Sequence, residues 1–531
     1  MCTILTKRSA RLTVQRAQAL PADRSRWHDG ALVCKWHRHQ ERKTTVKKSV
    51  GIALAAGALV LAYPAAAWML GRQVEAAHAE QYRLLAEQPY TKVVARDYQR
   101  GLFGATETVT IELLGDLLRD VAKAPRNAAA DPAAPAETPQ PLRLRLRSTI
   151  QHGPLPGLTT LAAAIAESEL TVEGEPGEKL AAVLGGQKPL LAHTEYRFTG
   201  GGVSRMSSPA FAMDFSADAE GTTSSVAWDG IHMSVDFAKG MQRYTMQAEA
   251  PRLEIKDSAG LRVLLSGLRL DGEQQRMFDD EPLLYAGTQK FTVAQFGMTT
   301  GKEDGEALLL KQVVYDVAMP ANGDFLDIVA RTGAETVQFG AHDYGPAHYD
   351  FSFKHLHART LAKLHRAFMK QSADPAALAA GEANPAKMLA PLAEPALELL
   401  KYSPEISVDR ISFRSPHGEA LIAARARLGE LKPEEISNPL VLLGKLDASA
   451  DIALPEALLA GLGGKGEAGA EAVAMREAMF QQQLAGFAEQ GYIQRDGGVL
   501  RTKIAFANGQ LTINGKPFNP LAIGGGARPT M

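Results

Sequence analysis

The sequence predicts a β-dominated α+β protein: an N-terminal transmembrane helix, then a long twisted antiparallel sheet or incomplete barrel built from hairpins, with amphipathic helices on its concave face. Three observations carry this reading. The stretch Val50–Gly71 runs about 22 residues without a charge, enough at 1.5 Å per helical residue to cross a hydrocarbon core of roughly 30 Å. A hairpin unit recurs at Pro251, Gln289 and Ile406, each time a short alternating strand, a glycine-containing turn and a longer alternating strand, and it returns near the C-terminus around Asn508-Gly509. Segments with helical periodicity at Gln73–Gln88, Thr360–Gln371, Lys387–Tyr402 and Glu471–Gln490 interrupt that pattern.

Residues 1–45 form a basic leader. Up to Ser49 there are about 12 Lys and Arg against about 3 acidic residues, whereas the remainder carries about 46 against 56, so the body has little electrostatic basis for binding nucleic acid. The leader holds both cysteines, Cys2 and Cys34, and no convincing apolar period. It reads as an upstream extension, with Val46 as an alternative start; a genuine cytoplasmic tail is the competing reading. A body without cysteine can form neither a disulfide nor a thiolate metal site.

Residues 46–72 form the anchor, with Lys47 and Lys48 before the run and Val50, Leu54, Leu59, Leu61, Trp68 and Leu70 within it. The flanking lysines keep that end in the cytoplasm and send the body to the other side, the periplasm of a bacterium, by the positive-inside rule. Ala65 and Ala67 form a small-x-small pattern that a signal peptidase could cut. A retained anchor is favoured, because the run exceeds the usual 7 to 15 residue signal core and Trp68 suits an interface.

Residues 73–122 read as a membrane-proximal helix and first strands, 123–141 as a flexible Pro/Ala-rich insertion, and 142–359 as an antiparallel β region opened by the strictly alternating "LRLRLRSTI". A helical segment at 360–402, C-terminal hairpins at 403–520 with a helix at 471–490, and a disordered tail at 521–531 complete the chain.

Five short stretches occur in an order that resembles the YdgA-like family of bacterial envelope proteins, a domain of unknown function. They are "KKSVGIAL", "YQRGLFGATETVTIEL", "IQHGPLPG", "VAWDGI" and "GQLTINGKPF", which place Tyr98, Arg100, Gly101, Leu102, Phe103, His152, Gly153, Pro154, Trp228, Gly230, Asn514 and Gly515 in family motifs. The resemblance covers most of Val46–Pro520. It implies an inner-membrane anchor and a periplasmic body, and it supplies no catalytic residues.

No reaction is legible. His355 and His357 share a strand face at a spacing that can chelate a metal, with Asp343 and Asp350 nearby, but no third ligand is fixed, so no metal and no cofactor are expected. "GLGGKG" at Gly461–Gly466 follows a helical segment instead of a strand and lacks the context of a dinucleotide loop. The expected role is a non-enzymatic binding or scaffold protein of the envelope, contacting membrane lipid through its N-terminal helix and an envelope protein or a further copy of itself through its body. A carrier of lipid or another hydrophobic ligand is the alternative, and an envelope hydrolase with an unrecognised site the second alternative.

Overall fold

A computed structural model describes residues 48–88, 91–113, 141–216, 223–258, 260–300, 307–372, 385–436, 438–458 and 470–519, with side chains in the first helix described from Ala62 on. The leader, Lys47, the insertion at 123–141, the glycine-rich Gly461–Gly466 and the tail lie outside the described residues, as do the side chains of Val50, Leu54, Leu59 and Leu61. The chain divides into two units, Met1–Ala58 and Leu59–Met531. The described part of the first is helical from Lys48 onward; the rest of the account concerns the second.

Helix α1 (Lys48–Ala86) carries Pro64 within it. Strands β1 (Thr91–Arg100), β2 (Gly104–Leu113), β3 (Leu142–His152), β4 (Ala164–Val172), β5 (Leu190–Tyr196) and β6 (Gly202–Ser208) follow, each antiparallel to the next, with α2 (Glu175–Val183) between β4 and β5. A side hairpin, β7 (Phe211–Ser216) and β8 (Thr223–Trp228), leads to β9 (Ile231–Phe237), which returns to β6. The first half of β10 (Arg243–Asp257) pairs with β9 and its second half with β8. Long antiparallel ladders then join β10 to β11 (Arg262–Arg276), β12 (Tyr285–Thr299) and β13 (Leu308–Met319).

Past the short β14 (Ala321–Asn322), β13 is shared by β15 (Phe325–Ala334) and β16 (Thr336–Phe339), the latter extended by β17 (His342–Asp343). Strand β18 (Ala347–His357) pairs with β15 and, across the helical insertion α3 (Ala358–Ser372) and α4 (Pro385–Leu400), with β19 (Glu405–Ser415). The last ladders are β20 (Gly418–Leu428), α5 (Pro439–Lys445), β21 (Leu446–Pro455), α6 (Ala470–Glu489), β22 (Gln494–Asp496), β23 (Val499–Ala507), β24 (Gln510–Ile513) and β25 (Lys516–Pro517). Among the described residues all 25 strands belong to one open sheet, so of the two expected architectures the long sheet is the observed one.

Alternation keeps apolar residues on one side of a strand only while the register is unbroken, since a one-residue slip turns every side chain over. In the four longest strands the sequence breaks alternation and the backbone compensates. Pro251, Gly267 and Gln312 fall where the ladders skip a residue, and Gly267 and Gln312 adopt φ of 63° and 52°.

The helical insertion does not spread over the sheet as expected. Helix α3 packs on α4 and against β18, and its cations reach the β11–β12 hairpin tip, where Arg359 bonds Asp280 at 2.6 Å and Arg366 pairs with Glu281. Apolar side chains further along the sheet are left open to solvent, as the next section describes. Among the described residues no helix is long and apolar enough to cross a membrane; the side chains of the apolar stretch before Ala62 are outside that set.

Candidate functional site: an apolar sheet face closed at one end by a helix

Helix α1 presents a stripe of Tyr63, Ala67, Leu70, Gly71, Val74, His78 and Tyr82 at spacings of three and four, one face of an α-helix. That stripe lies on β1–β5. Leu70 and Val74 join Ala105, Ile150, Ala164, Ala166, Tyr196 and Phe237 in the main buried cluster. Small residues set the approach distance: a Cβ on Gly71 would sit 2.6 Å from Cε1 of His152. The imidazole fills the space a side chain would need, and its Nδ1 donates to the Ala67 carbonyl oxygen at 3.0 Å. His152 is 1 % exposed; burial depresses its pKa below the ordinary 6.5, which the Ala67 hydrogen bond only partly opposes, so the ring is held neutral. Its Nε2 is buried without a partner.

Two turns of helix further on, a second fixing point is ionic. His78 shares a 2.5 Å hydrogen bond between Nδ1 and Glu107 Oε2, its Nε2 lies 2.7 Å from the Tyr196 hydroxyl, and Arg96 Nε donates to Glu107 Oε1 at 2.7 Å. Burial pushes the Glu107 carboxyl up, but the bonds from His78 and Arg96 outweigh it and hold the group below its usual range. Burial next to that carboxylate pushes the Tyr98 phenol up to about 12. The group resembles a catalytic relay in composition. His78 and Glu107 are 5 % and 1 % exposed and these bonds are all made inside the helix–sheet interface, so the geometry makes the group a pin that locks α1 to the sheet.

Beyond α1 the same face continues uncovered. One row of directly opposed residues reads Leu270, Phe291, Tyr315, Thr332, Tyr349, Ile411, Ile422, Ile452 across β11 to β21. The neighbouring row on the opposite face reads Asp271, Lys290, Asp316, Arg331, Asp350, Arg410, charges alternating in sign over six strands. Such cross-strand pairs contribute about 0.2–1 kcal/mol each and mark the face that water wets. On the apolar face Tyr315, Phe339, Tyr349, Phe353 and Ile406 are 36–54 % exposed. A hollow of 360 Å³ opens on it where Ala424, Ala426, Ala448 and Ala450 lie between Ile406 and Val408 on one side and Ile504 and Phe506 on the other. The larger hollow, 610 Å³, is on the polar face, where His193 pairs with Glu167 at 2.6 Å and Arg269 with Glu249 at 3.5 Å.

The residues singled out in the sequence separate into distinct places. Tyr98, Arg100, Gly101, Leu102, Phe103, His152, Gly153 and Pro154 converge on α1: the His152 amide donates to the Phe103 carbonyl at 3.0 Å, and Arg100 bonds Glu75 at 2.7 Å. Trp228 donates to Ser208 Oγ at 2.7 Å beside Gly230, whose φ of 91° falls at the break between β8 and β9, which pair with successive parts of β10. Asn514 and Gly515 form the β24–β25 turn, and Asn514 Nδ2 also donates to Gly491 and Tyr492 carbonyls at 3.1 and 3.0 Å. Of the anchor residues, Trp68 is exposed under the guanidinium groups of Arg72 and Arg100, while Leu70 turns into the protein core instead. His355 and His357 do not converge as ligands. His355 takes φ 58°, which breaks the expected shared orientation; it stacks on Phe325 at 4.1 Å and its Nδ1 bonds the Tyr402 carbonyl. His357 stacks on Tyr402 and bonds Thr360. No group of three His, Cys, Asp or Glu suited to a metal occurs among the described residues.

Residues 46–520 match the model of a family described as a bacterial protein of unknown function (DUF945). The chain belongs to this family. Neither the curated proteins nor the solved structures contain a match to it. For this DUF945 chain, then, the site rests on its own geometry. His78 and Glu107 were missed in the sequence because one sits in a helix and the other in a strand 29 positions away. The available signal was Glu107 on the inward side of an alternating strand, among residues that bury.

Proposed function

We propose that this protein is anchored in a bacterial inner membrane by α1, with its body in the periplasm, and that the body holds acyl chains of lipid-class ligands along its open apolar face without catalysing a reaction. The carrying observation is the two-sided sheet: an apolar row and an alternating charge ladder, registered on opposite faces of the same six strands. A contiguous apolar strip with large side chains left to water is the mark of an interaction surface. Apart from the hydroxyls of Tyr315, Thr332 and Tyr349 its quoted row is hydrocarbon, and the backbone groups of its interior strands are paired within the sheet. The strip therefore suits a ligand that needs no polar partner, and the alanine-floored hollow suits a cylinder of methylenes better than a side-chain-bearing peptide.

The charge-free Val50–Gly71 run, the lysines before it and the resemblance to the YdgA-like family all support the anchored, envelope setting. The scaffold role, a protein partner on the same surface, lacks the hydrogen-bonding rim that protein interfaces display. Mass spectrometry of an organic extract of the purified full chain tests the proposal. Co-purifying glycerophospholipid or fatty acid is expected from the native chain and is lost from a Tyr349→Glu, Ile406→Glu variant. Equal lipid in both, after matched delipidation of the anchor with detergent, would overturn it.

A further inference from the structure

The ends of the strands that surround α1 carry an unusual set of exposed side chains. Leu102 and Phe103, on the β1–β2 turn, are each 48 % exposed; Leu158 and Leu161, on the β3–β4 loop, are each 77 % exposed. Trp68 and Met69, on the outward side of α1, are 46 % and 53 % exposed. All three elements touch. Tyr63 of α1 packs its ring 5.8 Å from Phe103 and donates its hydroxyl to the Leu155 carbonyl at 2.8 Å. Arg100 stands over the Trp68 ring at 5.9 Å. The turns are free of charge: no Asp, Glu, Lys or Arg occurs from Gly101 to Thr106 or from Gly153 to Ala166.

We infer that these six residues form a collar around α1 that inserts into the outer leaflet of the bilayer. The inference rests on the anchored reading and goes beyond it. Two magnitudes support lipid as the occupant. Tyr63 is already committed to the body, so the charge-free helix upstream of it, Val50–Ala62, offers about 13 residues or roughly 20 Å, against a hydrocarbon thickness of roughly 30 Å. The missing ~10 Å corresponds to Tyr63–Met69, the stretch the collar flanks, at the depth to which amphipathic elements sink, about 5–10 Å below the headgroups. The charge pattern agrees: cations begin at Arg72 and Arg100, both stacked on Trp68, an aromatic and cationic pair of the kind found at a membrane interface. The collar is thus continuous with the one segment of the chain built for hydrocarbon.

The test uses the full chain with Cys2→Ser and Cys34→Ser, bearing a single cysteine at Leu102→Cys, Leu158→Cys, Leu54→Cys or Arg269→Cys. Each is labelled with a polarity-sensitive dye and reconstituted in 3:1 phosphatidylethanolamine:phosphatidylglycerol vesicles. Dyes at 102 and 158 should emit to the blue and be quenched by lipids spin-labelled near the headgroup end of the acyl chain, whereas the dye at 269 is quenched only by aqueous iodide. Iodide quenching at 102 and 158 equal to that at 269, with lipid quenching retained at 54, would overturn the collar and leave the anchor standing. Loss of lipid quenching at 54 as well would overturn both. Protection from iodide at 102 and 158 without lipid quenching would assign the surface to a protein and overturn the lipid collar.

Discussion

Gly71 and His152 are neighbours only in space, and together they decide how closely α1 can lie on the sheet. A methyl group at 71 would meet the imidazole at 2.6 Å, so Gly71→Ala must push ring or helix aside. Overpacking of this size costs about 1–3 kcal/mol, readable as a lowered urea midpoint. The same contact makes stability depend on pH. Because burial lowers the folded-state pKa of His152, the unfolded chain takes up the proton first as pH falls. The contribution is complete above the ordinary value of 6.5 and declines below it until the lowered folded pKa is passed. His152→Phe fills the space without titrating, so the difference in unfolding free energy between native chain and variant should shift between pH 7.5 and 5.5. An unchanged difference would contradict a buried neutral imidazole. Glu107, whose pKa is also depressed, loses its contribution only at more acidic pH, below the ordinary 4.5, which separates the two windows.

At the scale of elements, α1 is held by a pin and the sheet by registers. Removing Glu107 leaves Arg96 and His78 facing a buried void, and breaking a buried pair costs about 3–5 kcal/mol, so Glu107→Ala should be among the most damaging substitutions in β2 by equilibrium unfolding. Reversing one rung of the charge ladder is milder. Asp350→Lys sets a cation between Arg331 and Arg410 and removes the acceptor for the Thr332 amide at 3.1 Å; about 1–2 kcal/mol of stability should be lost while lipid content is unchanged. The hairpins were legible because alternation and turn glycines are local signals, as at Asn508-Gly509, which closes β23 onto β24. The gaps in the ladders at Pro251, Gly267 and Gln312 have no local signal, since a break in alternation looks like noise until neighbouring strands share it. The expected helical cover failed for a similar reason: an apolar stripe such as that of α3 says that a surface is buried, and the partner turned out to be α4 and β18.

For the molecule as a whole, one open sheet gives an apolar face that begins under α1 and runs to β24, with the alternating charge ladder on the other side. That division was implicit in each strand's alternation, but only the pairing register shows that all strands turn the same way. The candidate site was legible in part: the family stretches at Tyr98–Phe103 and His152–Pro154 pointed to the α1 junction, whereas the exposed rows at Tyr349 and Ile406 depend on contacts far apart in sequence and had no local mark. Tyr349 and Asp350 are adjacent in β18 and face opposite sides, which supplies an internal control. A photoreactive phenylalanine analogue is placed at 349 or at 350 in the full chain, irradiated in living cells, and the purified protein is analysed for lipid adducts by mass spectrometry. Adducts of acyl lipid at 349 and none at 350 are the predicted result. Equal labelling at the two positions, or protein adducts alone at 349, would contradict the claim that the apolar face carries lipid.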